Sequence, residues 1–254
     1  DLKSQSQTRV DNLLQGMTSG VTVTQTSGAP DAGSQIRIRG IGTIRNSDPL
    51  YLVDGMPVGG IDYLNPNDIE RIEVLKDAAS GAVYGARAAN GVVLVTTKQG
   101  KKGKTTVSYD YSQGWQNPWR KPQVLNATEY AIMMNEAAIN GGNAPKYDDP
   151  YSFGEGTDWI DAIFNDNAPV MKHDLNISGG NDQVTYTTSV GYLSREGTIG
   201  GNYGRSNYDR FTVRQALNAT LFDNSSSRNW LQKMTMQSSV SYAHINSTGI
   251  NNNS

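Results

Sequence analysis

Cysteine is absent from the 254 residues and histidine occurs only twice, at His173 and His244. A chain without thiols has neither a disulfide framework nor a Cys-based metal site. Charge of one sign is also missing: 22 basic side chains stand against 24 acidic ones. That balance gives no signal for nucleic acid. No run approaches the roughly 20 consecutive apolar residues that a membrane helix needs. The stretch from Asp1 is polar, not basic and then apolar, so no signal peptide is expected. The signatures GxSxG, HExxH and a P-loop lysine in context are missing, and both histidines fall inside expected strands. No enzyme, cofactor or metal site is therefore expected. Asp148, Asp149, Asp158 and Asp161 gather loosely but lack the spacing of a calcium loop, and read as solvated loop charge.

What is present is glycine (27), tyrosine (13) and one dense stretch, Ser34–Lys98. Ile36 and Ile38 alternate with Arg37 and Arg39, the period of a strand with one apolar and one charged face. Leu50, Leu52 and Val53 lead into Asp54-Gly55, a strong hairpin signal. Pro66 with Asn67-Asp68 opens a helical turn, after which Ile72 and Val74 alternate with Arg71 and Glu73. Asp77 can cap a short helix of small residues, Ala78 to Ala86, whose Gly81–Gly85 spacing permits close packing. Gly91–Val95 closes the unit as a buried strand. Upstream, Val10, Leu13, Leu14 and Met17 stand at helical spacing within a helix expected over Asp1–Gly16 and its flank. At this length one or two domains are expected.

The motifs Gln35–Gly40, Pro49–Gly55, Asn65–Ala78 and Tyr84–Lys98, in that order, resemble the plug domain of outer-membrane TonB-dependent transporters, and most closely the SusC/RagA branch. The resemblance continues through Thr157–Phe164, Asn176–Gly197 and Tyr208–Arg214. It implies an α+β plug domain over 1–100, followed over 101–254 by the first antiparallel strands of a large transmembrane β-barrel of about 22 strands when complete. It also implies a bacterial outer-membrane location and import of oligomeric nutrients, glycans or peptides. The implied partners are a SusD-like surface lipoprotein, the TonB complex through a segment not recognisable here, the remainder of the barrel, and outer-membrane lipid. Arg37, Arg39, Glu70, Arg71 and Glu73 are then expected to make polar contacts between plug and barrel. The polar apex Thr43–Ser47, where binding residues commonly sit, makes Ile44, Arg45, Asn46 and Ser47 the candidates for substrate contact.

The residues after Lys104 carry the barrel pattern independently. Val107, Tyr109, Tyr111 and Trp115 alternate with Ser108, Asp110, Ser112 and Gly114. Leu175 and Ile177 continue it, as do Val184, Tyr186, Val190 and Tyr192. Phe211, Val213, Leu217, Ala219 and Leu221 oppose Arg210, Thr212, Arg214, Asn218 and Thr220, and Met234, Met236, Val240 and Tyr242 complete a fifth strand. Hydropathy scans miss such strands because the apolar residues fall at every second position. Long connections near 116–170 and 194–207 suit extracellular loops, and the first should hold a helix opened by Asn126 and Glu129, with Tyr130, Met133, Met134 and Ala137 on one face. Trp115, Trp119, Tyr147, Tyr151 and Trp159 suit girdles and loop packing, with sugar stacking as the other use. The same alternation would also suit a soluble β-rich binding module or adhesin. A need for detergent separates the two.

Overall fold

The computed structural model describes residues 9–14, 19–40, 47–77, 82–223 and 232–249. Of the expected first helix, α1 (Val10–Leu13) falls within them, and it buries Val10 and Leu13, with Leu14 just beyond. β1 (Val21–Gln25) pairs antiparallel with β2 (Ser34–Ile38). The period-2 pattern of β2 sends Ile36 and Ile38 into a core shared with Val10, Val23, Leu64 and Val93.

A second sheet follows. β3 (Leu50–Val53) and β4 (Met56–Val58) form a hairpin across Asp54 and Gly55, whose φ values of 50° and 84° are both left-handed, as a two-residue type I′ turn requires. β5 (Ile69–Leu75) and β3 flank β6 (Val92–Thr97) on its two sides, antiparallel and parallel respectively. Being central explains why β6 is a continuous apolar run in which Val92, Val93 and Val95 are all buried. Before it, Gly91 has φ +91°, and a Cβ there would strike the side chain of Ile38.

The small-residue helix expected after Asp77 is corrected. Residues 78–81 lie outside the described residues. Ala82–Ala88 is 3₁₀ in character and interrupted at Gly85 (φ 71°, ψ −160°), where glycine takes a backbone conformation that no α-helix contains. Asp77 itself pairs with Arg39 at 2.7 Å.

The remaining strands form one antiparallel meander: β7 (Gly103–Gln116), β8 (Ala168–Gly180), β9 (Val184–Glu196), β10 (Asn207–Asp223) and β11 (Lys233–Thr248), each bonded to its sequence neighbours. At 13 to 17 residues these strands are long enough to cross an apolar band about 25 Å tall. The β8–β9 turn is fixed by the Asn181 side chain, which accepts from the amides of Gln183 and Val184.

This sheet is polar within and apolar without. Asp174, Thr187, Ser189, Arg210, Thr212 and Arg214 are buried beneath the N-terminal unit, whereas Val107, Tyr109, Tyr111, Phe211, Val240 and Tyr242 are exposed. A soluble sandwich hides the opposite set, because leaving so much contiguous apolar surface in water is costly.

The connection between β7 and β8 is ordered by caps. α2 (Ala127–Asn140) opens on the capping box of Asn126 and Glu129. Its packed positions are Ala131 and Ala138, while Tyr130 and Met133, on the face read from the sequence, are exposed. The carboxylates of this connection have separate duties. Asp149 accepts from the Tyr151 amide, Asp158 caps α3 (Trp159–Ile163), and Asp161 pairs with Lys121 at 2.8 Å. Lys121 is drawn up in pKa chiefly by its hydrogen bonds to Asp161 and Asp166.

Candidate functional site

The N-terminal unit meets the inner face of the sheet along a seam of polar contacts. Its centre is the turn at Asn65–Asp68. Pro66 fixes the first residue of a 3₁₀ turn, and the Asn65 side chain accepts from the Asn67 amide, so both asparagine side chains project from a rigid corner. Each then donates to one oxygen of Asp174 on β8: Asn65 Nδ2 to Oδ1, and Asn67 Nδ2 to Oδ2 at 2.7 Å. Lys172 Nζ adds an ion pair to the same carboxylate at 3.1 Å. Three donors therefore converge on one buried acid.

A second anchor sits at the end of β6. Arg214 on β10 donates through Nη1 to the Lys98 carbonyl at 2.9 Å and through Nη2 to Thr97 Oγ1, with Asp54 Oδ2 at 3.8 Å. Asp54 is held in turn by the Thr97 amide at 2.8 Å. The two anchors are joined, because the Lys98 amide donates to the Asp68 carbonyl at 2.8 Å and Lys98 Nζ reaches the Asn67 carbonyl. Further along β10, Arg210 Nη1 donates to the Asp62 carbonyl at 2.8 Å and Asn218 Nδ2 to Gln99 Oε1 at 3.2 Å.

Burial makes this seam demanding. Arg210 and Arg214 are only 2 % and 4 % exposed, so each needs its partners to offset lost hydration. Asp68, buried against Ser189 and Arg214, is pushed above the ordinary carboxylate range by burial, against the opposing pull of those two side chains.

Among the described residues, the charged side chains expected to contact the barrel pair within the N-terminal unit, and their contacts to the remainder of the barrel are a proposal. Arg37 donates to Gln35 and, at 3.1 Å, to Ser47; Arg39 pairs with Asp77; and Arg71 pairs with Glu73 at 3.4 Å. Glu70 borders a cavity between the N-terminal unit and the sheet. Ile44, Arg45 and Asn46 lie outside the described residues, whereas Ser47 is half-buried against Arg37. Among the described residues, contacts to the five strands come from Asp54, Asp62, Asn65, Asn67, Thr97, Lys98 and Gln99. A signal for their wall partners was present, since Arg210 and Arg214 fall on the polar face of an alternating strand.

The family model described as TonB-dependent Receptor Plug Domain matches residues 1–92. The chain is 41% identical over 223 residues to TonB-dependent receptor P26 of Formosa agariphila, and 36% identical over 228 residues to TonB-dependent receptor SusC of Bacteroides thetaiotaomicron. Both matches take in 85% of this chain and 22% of the relative. The chain thus spans about a fifth of the length of the curated relatives it matches. Among solved structures, the RagAB peptide transporter superposes with a TM-score of 0.77 at 28% identity, over 98% of this chain and 30% of that one. The siderophore receptor PirA from Acinetobacter baumannii, at 20% identity and a TM-score of 0.54, shares the fold.

Proposed function

Because the chain belongs to the SusC/RagA family of TonB-dependent outer-membrane receptors, as a fragment holding a plug and barrel strands, we propose that the intact protein actively imports oligomeric nutrients, glycans or peptides. The carrying observation is the inside-out sheet: a lipid-ready outer face and a polar inner face already occupied by a plug. A plug seated by exchangeable polar contacts closes a wide lumen and yet can be displaced, since water replaces those partners at little net cost. On this reading residues 1–100 are the plug and 101–254 the start of the barrel, with the connections near 116–170 and 194–207 outside the cell.

Energy would come from the TonB complex, and a SusD-like surface lipoprotein would present the cargo. The solved relative described as the RagAB peptide transporter supports the peptide class; the glycan class and the lipoprotein partner follow from the resemblance to the SusC/RagA branch. Ile44, Arg45, Asn46 and Ser47 are the proposed plug residues that touch cargo, because their segment joins two plug strands at a polar apex. No catalytic step is assigned to the protein.

The test uses the complete receptor in its own membrane. Deletion should abolish growth on a defined glycan or peptide oligomer, and purification should require detergent and bring down a surface lipoprotein. Replacing Arg45 and Asn46 with Ala should weaken uptake without lowering the amount of assembled barrel. Purification without detergent, with no lipoprotein, would favour the soluble binding module.

A further inference from the structure

The two histidines of the chain stand in one row on the outer face of the sheet. Strand register sets Tyr111, His173, Tyr192, Phe211 and His244 side by side across the five strands. Toward the short β8–β9 turn, the next outward row is Tyr109, Leu175, Val190, Val213 and Tyr242. Toward the long connections it is Gln113, Met171, Ser194, Asp209 and Asn246, polar but for Met171. The apolar band therefore gives way to polar side chains at the histidine row. Two tyrosines turn their hydroxyls across that boundary: Tyr111 donates to Gln113 Oε1 at 2.6 Å, and Tyr192 to Asp209 Oδ1 at 3.1 Å. A ring with its body in the band and its tip in the polar layer is how tyrosine sits at a membrane surface. His173 lies among three such rings, with centroids 4.8 Å from Tyr111, 6.1 Å from Tyr109 and 6.4 Å from Tyr192. Tyr109 Oη is 2.6 Å from its Nδ1, and Nε2 has no partner among the described residues. Because β8 is hydrogen-bonded on both sides, these surroundings are complete within the chain.

An ionisable side chain that faces lipid is rare and costly, so it needs a partner there. We propose that His173 and the tyrosines around it bind the phosphate of an outer-leaflet lipid, with Nε2–H as the donor. Tyr109 donates its hydroxyl proton to Nδ1, which keeps the ring proton on Nε2, the nitrogen left for the lipid. Among acceptors in the headgroup layer a phosphate oxygen is favoured, because a hydrogen bond to an ionised group is roughly twice as strong as one to a neutral carbonyl. The tyrosine rings pack against the upper part of the lipid chains below it. The choice of the outer leaflet follows from the long connections lying outside the cell, and in that respect alone the proposal rests on the import reading.

The test uses the complete receptor in mild detergent and reads bound lipid by native mass spectrometry, with phosphorylated lipid A and the same lipid stripped of its phosphates as probes. The native receptor should hold the phosphorylated form roughly tenfold more tightly, the margin expected of one hydrogen bond to an ionised group. His173→Phe, which keeps an aromatic ring on the lipid face, should abolish that preference. Tyr109→Phe should reduce it, and His244→Phe should leave it unchanged. Heat-modified mobility on gels shows each variant to be an assembled barrel, and His173→Leu replaces His173→Phe if the latter does not assemble. Equal affinity of the native receptor for the two lipids, or a preference that survives the loss of His173, would overturn the site. Displacement of the lipid by excess inorganic phosphate would mark a site for the free ion and overturn the lipid assignment. A preference for phosphatidylethanolamine over lipid A would overturn the choice of the outer leaflet. Lipid binding is read without cargo, so failure of the receptor to import oligomers would count against the import reading alone.

Discussion

The side-chain amide of Asn65 occupies the notch that Gly191 leaves in the wall. A Cβ on Gly191 would collide with that amide and lie 2.7 Å from Thr212 Oγ1 and 3.0 Å from Asp174 Oδ1. A strand glycine here marks a close approach by another part of the chain, and the part is the plug. Gly191→Ala should therefore unseat the turn while leaving the wall strands paired, at a cost of about 1–3 kcal/mol. Hydrogen exchange at the Lys98 amide, which donates to the Asp68 carbonyl, should accelerate, and exchange in the middle of β9 should not.

Arg214 is the second anchor, and its loss strands polar groups. Arg214→Ala would leave Thr97 and Asp54 facing an empty buried site, with an expected cost of about 3–5 kcal/mol. The plug should become protease-sensitive at lower denaturant concentration than in the native protein, whereas Arg71→Ala, which removes an exposed pair with Glu73, should change little.

The pH dependence of seating follows from Asp68. Its carboxyl is raised in the folded protein by burial. The folded state therefore holds this proton more tightly than the unfolded state does. The contribution is fully present below the unfolded pKa and is lost as pH rises through the higher folded value. Plug release by urea should become easier as pH rises above the ordinary carboxylate range, and Asp68→Asn should flatten that dependence.

The two faces of β7 should respond oppositely to charge. Tyr109 is 61% exposed on the outer face, and Ser108 borders the cavity between plug and wall. Tyr109→Arg within the apolar band should cost up to roughly 2–4 kcal/mol, while Ser108→Arg can hydrate its charge. The yield of heat-resistant barrel from the complete protein measures both. Ser189 would not serve as the hydrated control, because it is 6% exposed beneath the plug and an arginine there would clash with it.

Much of the fold was legible in the sequence because it depends on local physics. Strand alternation follows from the two-residue period of extended chain, the β3–β4 hairpin from the left-handed preference of Asp-Gly, and the α2 start from a reciprocal cap. Helix character after Asp77 was misread because small residues suit helices, 3₁₀ turns and close packing alike, and the left-handed Gly85 decides among them. Which face of α2 packs was not legible, because a helix in a loop packs where its neighbours happen to lie.

By itself the sequence determined which strand faces are polar and which apolar, since that pattern is written at every second residue. Only the tertiary structure decided that the polar face is the buried one, and which plug residues meet it. Arg37, Arg39 and Arg71 were as plausible as any charges for the seam with these five strands, yet among the described residues they pair with Gln35, Asp77 and Glu73 of their own unit. Asn65 and Asp174, 109 positions apart, meet because the plug folds back into the curve of the wall. No local propensity carries such a pairing, because it exists only once both surfaces are formed and water between them has been displaced.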